Sequence, residues 1–271
     1  MEALQYREDW KMKNMTPELK KELFPDNMIL LGYRGSVAHN MYVPNTDPNS
    51  IDDIDLMSVY MNPVDHYIGI KKYREVREKF IDKWDVVNYE FLKFVNMLTK
   101  SNPNTLSLLW IKNNHYIEYN DYGKTLIENR DLFVSKLAYH SFTGYAHDQL
   151  KKMEATKFEG YMGKKRKDLV QKFGYDCKNA AHCIRLLKMG MEFLSEGKLN
   201  VFREDAQWLL EIKRGLWKLE DVKAEAKRLF KLTDEAYIRS SLPSEPDYGK
   251  INVMVKDILY DYICGGECNG I

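Results

Sequence analysis

Short apolar runs separated by dense turn signals fill the first third of the chain, and a helical period takes over beyond it. "TPELKKELF" predicts a short helix with Thr16 as N-cap and Pro17 at the first helical position, where its missing N–H costs nothing. "NMILLGY" predicts a buried strand ending near Arg34, and Gly35-Ser36 opens a turn into the short helical stretch "VAHNMY". Residues 44–50, "PNTDPNS", form a loop, and a second strand is expected from Ile51 to Tyr60. The pattern of "PVDHYIGIKKYREV" fits a loop followed by either a helix or a strand and does not decide between them. "KWDVVNYE" is a third strand candidate, followed by helical spacing at Phe91, Leu92, Val95 and Leu98. Asn102-Pro103 breaks that helix, and "TLSLLW" begins another. From about Leu126 the pattern is almost wholly helical, with segments near 130–155, 164–173, 176–196, 203–213 and 219–238. The expected class is α+β: a small mixed sheet over residues 1–125, then a mainly helical region over 126–271.

Composition narrows the class of protein. The 271 residues are 44% apolar and 30% charged, enough for a sizeable core and no disorder signature. Forty-one basic against forty acidic residues leave a net charge of +1, which gives no global attraction to nucleic acid or membrane. The stretch 151–178 is different, with nine Lys or Arg against four acidic residues, and predicts a local basic surface. The N-terminus has no apolar leader pattern, and no run approaches the roughly eighteen apolar residues of a membrane span, so a cytoplasmic protein is expected. Four cysteines in a chain this long predict no disulfide scaffold.

The chemistry concentrates in two places. Strand alternation puts Asp53 and Asp55 on one face, about 6.6 Å apart at ~3.3 Å per residue, while Ile54 and Leu56 anchor the other. Hard divalent cations suit such a pair, because oxygen ligands satisfy Mg²⁺ (or Mn²⁺) and the ion relieves carboxylate repulsion. A third carboxylate is expected from the next strand, with Asp85 the candidate and Glu90 its competitor; Asp52 reads as a solvated neighbour or a turn residue. Gly35 leaves room for a phosphate to approach the backbone, Ser36 offers a hydroxyl, and Arg34 and His39 are further candidate donors. Taken singly, Asp-x-Asp and Gly-Ser are weak signals, more often structural than functional.

In combination, the strand, Gly-Ser turn, short helix and Asp-x-Asp strand resemble the DNA polymerase beta superfamily of nucleotidyltransferases. The strings "RGSVAHNMYVPNTDPNSIDDIDL", "NPNTLSLLW", "YHSFTGYAHDQL" and "KKRKDLVQKFGYDCKNAAHCIRLLKMG" resemble a bacterial and phage group of that superfamily sometimes linked to RNA repair. The resemblance runs from about Leu30 to Pro246. It implies a small mixed sheet flanked by helices, Gly35 and Ser36 on nucleotide phosphates, and Asp53, Asp55 and a third carboxylate on Mg²⁺. It also implies transfer of a nucleoside monophosphate from an NTP to an acceptor hydroxyl or phosphate oxygen with release of pyrophosphate. An RNA or DNA end is the expected acceptor; a protein or small molecule is the alternative, and a non-catalytic binding module on the same scaffold is the other class. The "PNTDPNS" loop lengthens the usual separation between Gly-Ser and the first aspartate.

In the helical region Lys178, His182 and Arg185 fall at i, i+4 and i+7, one face of a helix suited to nucleotide phosphates, with Cys177, Ala181, Ile184 and Leu187 packing behind. His140, Gly144, His147 and Lys151 form a second stripe. Its histidines read as packed rather than zinc-binding, and Gly144 suggests a close approach. Phe158, Tyr161, Phe173 and Tyr175 are candidate stacking surfaces for single-stranded bases or core residues. Cys264 and Cys268 read as part of a frayed tail.

Overall fold

The computed structural model describes residues 15–44, 46–154 and 163–265. Helix α1 (Pro17–Leu23) starts where the Thr16 hydroxyl accepts the Leu19 N–H at 3.3 Å. It leads into β1 (Met28–Tyr33), the one-turn α2 (Gly35–Ala38) and β2 (Ile54–Tyr60). The stretch whose pattern was ambiguous becomes another single turn, α3 (Asp65–Ile68), and an edge strand, β3 (Val76–Ile81). Strand β4 (Trp84–Glu90) runs directly into α4 (Phe91–Thr99), because the Glu90 carboxylate turns back to accept the Lys93 N–H at 2.9 Å as an N-cap. Asn102 caps α5 (Pro103–Leu109) through the Asn104 and Thr105 N–H groups. Strand β5 (Tyr116–Tyr119) and α6 (Asp121–Glu128) complete this part.

The sheet is mixed, in the order β3-β4-β2-β1-β5. β1 lies antiparallel to β2 and β5, β3 antiparallel to β4, and β2 parallel to β4. Its two faces enter different cores. Ile54, Leu56, Trp84 and Val86 pack with Leu23 and Phe24 in a small cluster around α1, whereas Met57, Val59 and Val87 join the main core. The second face is therefore the one turned toward the helical region.

That region contains α7 (Ala138–Glu154), α8 (Lys164–Phe173), α9 (Cys177–Glu196), α10 (Ala206–Lys213), α11 (Leu219–Arg239) and α12 (Tyr248–Gly265). α9 is its axis, packed by α7, α10 and α11; Cys177, Ala181, Ile184 and Leu187 are all buried along it. At Gly190 an added Cβ would lie 2.8 Å from the Phe142 Cβ, which is how α7 and α9 come so close. The main core draws Ile29, Leu30 and Val59 from the sheet and Leu187, Leu229 and Ile258 from the helices, and α6 runs through position 125. No helix among the described residues is long and apolar enough to cross a membrane.

Several expectations change. β2 starts at Ile54, so Asp53 precedes the strand, and the helix expected from 130 starts at Ala138 after a 3₁₀ turn. β5 and α12 had no expected counterpart, and Cys264 lies within α12; Cys268 falls outside the described residues. Gly144 is exposed and a Cβ there would meet nothing within 4 Å, so close packing does not account for it. His147 stacks on Phe230 with ring centroids 4.1 Å apart but is otherwise exposed.

Candidate active site

The site is built where β1 ends. Gly35 has φ +58, a left-handed conformation that costs an L side chain, and a Cβ there would fall 2.0 Å from Asp55 Oδ2. Only glycine lets the turn pass so close to this carboxylate. The Ser36 hydroxyl oxygen beyond it is buried and meets no hydrogen-bond partner among the described residues. On the neighbouring strands Asp55 and Asp85 are register partners of the parallel β2–β4 ladder, so the pleat aims both side chains to the same face. Asp53 stands two residues ahead of Asp55, beside the same edge.

Arg34 crosses this edge. Its Nε donates to the Leu56 carbonyl at 3.1 Å, and its guanidinium lies 3.1 Å from Asp85 and 3.6 Å from Asp55. One cation does not balance three carboxylates. Burial pushes the Asp55 carboxyl up to about 6, against the pull of Arg34 and Lys178, with Asp85 and Asp52 adding to the rise. Asp53 is raised for the same first reason, with Lys178 opposing and Asp85 and Asp52 adding. Among the described residues no three acidic, histidine or cysteine side chains converge tightly enough to hold an ion as they stand. The donor set, oxygen ligands from Asp53, Asp55 and Asp85 with Arg34 lying between two of them, is of the kind a hard cation takes.

A layer of cations from the helical region faces these acids. Asp52 is buried, accepts the Val43 N–H at 3.0 Å, and pairs with Lys213 from the end of α10; Lys178 of α9 stands 3.7 Å from its other oxygen. Arg185 is buried farther along α9 and contacts His39 Nε2 at 2.6 Å, while His39 Nδ1 donates to the Val201 carbonyl at 2.8 Å. With Nδ1 carrying the proton, Nε2 is the acceptor for Arg185. Burial, then Arg185, drives the His39 imidazole well below its ordinary value, so it is neutral near pH 7. Burial and Arg203 lower Arg185 to about 9, with Asp55 opposing. His182, half-buried beside them, is also driven well below its usual value, by burial first and then by Arg185, Lys178 and Lys213.

The profile of RlaP, the RNA repair pathway DNA polymerase beta family, matches residues 27–252, well over half of the chain. The chain belongs to this RNA repair pathway DNA polymerase beta family. Its enzyme class is that of the nucleotidyltransferases. No curated protein matches significantly. Among solved structures, a nucleotidyltransferase-like protein from Exiguobacterium sibiricum 255-15 aligns over 94% of this chain and 77% of its own, at 13% identity and a TM-score of 0.32.

Within this polymerase-beta-family chain the predicted residues do not all share one environment. Arg34, Gly35, Ser36, Asp53, Asp55 and Asp85 meet at the rim where β1 ends and β2 and β4 begin, and Lys178 faces them. Glu90 is not beside them: its carboxylate caps α4 and accepts the Tyr67 hydroxyl at 2.8 Å. His39 and Arg185 hold each other, joining α2 to α9 beneath the site rather than facing open space. Asp52, expected to be solvated, is buried in a two-lysine network. Lys213 was not anticipated at all, although it lies seven residues after Ala206 on the apolar face of α10, an odd place for lysine. The basic stretch is in part tied to neighbouring segments, with Lys165 donating to the Asp47 carbonyl, Lys172 to Asn49 Oδ1 and Arg166 binding Asp176 and Asn179, while Lys151, Lys152, Lys164 and Lys172 are exposed. Tyr175 is buried, its hydroxyl donating to the Trp217 carbonyl, so it offers no face to a base; Phe158 and Tyr161 lie outside the described residues.

Proposed function

We propose that the protein transfers a nucleoside monophosphate from an NTP to the end of an RNA strand. The observation that carries this reading is the pairing of Asp55 with Asp85 across the parallel ladder, with Gly35 pressed against the Asp55 carboxylate. The family's description as an RNA repair pathway supports RNA as the acceptor in preference to a protein or small molecule.

In the reaction an acceptor oxygen forms a bond to the α-phosphorus, the bond from that phosphorus to the β-phosphate bridging oxygen breaks, and pyrophosphate leaves. Asp53, Asp55 and Asp85 would hold Mg²⁺ or Mn²⁺, which supplies charge neutralisation and a lower pKa for a coordinated hydroxyl. The remaining work falls to the chain. The Ser36 hydroxyl and the backbone at Gly35 receive phosphate oxygens, Arg34 exchanges its carboxylates for the incoming anion, and Lys178 neutralises triphosphate charge from the helical side. Asp85, 42% exposed, borders the approach of the acceptor. The sheet thus contributes acids and the helices cations, with the substrate cleft between them.

The test is incubation with each radiolabelled NTP, Mg²⁺, and RNA, single-stranded DNA or protein, followed by identification of the labelled species. Label is expected in RNA and lost in Asp53→Asn, Asp55→Asn and Asp85→Asn. Undiminished labelling by any of these variants removes that residue from the mechanism, and label confined to protein replaces the acceptor.

A further inference from the structure

Asp52 is the buried member of the acidic run, and what surrounds it is unequal. One carboxylate oxygen, Oδ2, accepts from the Val43 N–H and from the ammonium of Lys213, which also donates to the Met41 carbonyl at 2.9 Å. The other, Oδ1, is buried with no hydrogen bond, and the Lys178 ammonium stands off at 3.7 Å. Lys213 is only 9% exposed, whereas Lys178 is 27% exposed and acts on Asp53 and Asp55 as well. Two lysines from two helices thus share one carboxylate, and just one of them is bound tightly.

We propose that Asp52 and Lys213 form a positioning pair that fixes Lys178 for the triphosphate of the substrate. Lys213 satisfies the Asp52 charge from inside the protein, so Lys178 is steered toward the catalytic edge without being captured by Asp52. Removing Lys213 alone leaves a buried carboxylate whose nearest available cation is Lys178. The ammonium is then drawn off the substrate side. Removing the charge of both Asp52 and Lys213 abolishes that competition and frees Lys178 again. The same pair ties the chain before β2 to the end of α10, so one contact sets both the alignment of the helices and the reach of the lysine.

This inference rests on the reading of the site as a triphosphate site, and the two can fail separately. The probe is inorganic tripolyphosphate with Mg²⁺, titrated calorimetrically into the full-length protein and its variants. Wild type is expected to bind, and Lys178→Met to bind about tenfold more weakly, as loss of one charged contact predicts. Lys213→Met should weaken binding by a similar factor, Asp52→Asn/Lys213→Met should return it close to wild type, and adding Lys178→Met to the double variant should remove the recovery. Each titration is run at a temperature where circular dichroism shows that variant fully folded, because neutralising both partners of a buried pair also restores stability and restored folding must not be mistaken for restored binding. If wild type fails to bind, or Lys178→Met binds normally, the triphosphate site itself is wrong. If Lys178→Met is weak but Lys213→Met binds as wild type does, the positioning pair is wrong while the site stands. Should Lys213→Met not fold, the double variant decides: binding as weak as that of Lys178→Met overturns the proposal, and wild-type binding that depends on Lys178 upholds it.

Discussion

Gly35 and Asp55 constrain each other directly. An alanine at position 35 meets both a left-handed backbone, which costs about 1–2 kcal/mol, and the Asp55 carboxylate. Gly35→Ala should therefore lower stability by at least that amount in denaturant titrations and abolish nucleotidyl transfer even in protein that remains folded. Asp55 makes a pH-dependent prediction. Its folded value near 6 lies above the ordinary 3.8, so between those values the native state holds a proton that the unfolded state has released. Stability from this group is present below about pH 4 and is lost as pH rises through 6, by up to about 3 kcal/mol. Metal-free Asp55→Asn should melt higher than wild type at pH 8, and the gap should close toward pH 4. A wild-type protein that melts higher at both pH values would contradict the uncompensated charge.

At the scale of elements, the choice between Asp85 and Glu90 becomes a choice between a ladder position and a cap. Glu90→Ala should cost about 1–2 kcal/mol by stripping the α4 N-cap while leaving labelling of the acceptor intact; Asp85→Asn should do the reverse. The 46–50 loop offers a second check, since α8 pins it through Lys165 and Lys172. Changing both lysines to alanine should speed hydrogen exchange at the loop amides with little effect on the global melting temperature, because exposed polar contacts contribute little to stability. Elements governed by local rules were readable in advance: β1, the Gly-Ser turn and α9 announce themselves through an apolar run, turn chemistry and helical periodicity. β3 did not, because as an edge strand it presents "VREKFI" largely to solvent and carries no buried face to set a period of two. α12 does carry a buried face at helical spacing, Ile251, Met254 and Ile258, but exposed apolar residues such as Val253 and Tyr260 interrupt the contrast that would have shown it. The roles of Asp52 and His39 were illegible for a different reason. Their partners, Lys213, Val201 and Arg185, lie far along the chain, and no local pattern announces a contact of that range.

Across the whole molecule, the sheet and the helices share an apolar interior. The division near residue 125 describes who contributes acids and who contributes cations; it does not mark a seam in the core. Heating should accordingly give one cooperative transition, with calorimetric and van't Hoff enthalpies in agreement, and two resolved transitions would refute the shared core. The ladder between β2 and β4 has a further consequence for how this protein tolerates change. Because backbone hydrogen bonding, and not the connecting chain, sets the gap between Asp55 and Asp85, the excursion that joins those strands can be lengthened or trimmed without retuning the chemistry. Ile70 in that excursion is wholly in solvent, and that is where an epitope or fluorophore can be grafted while the spacing of Asp55 and Asp85 is kept.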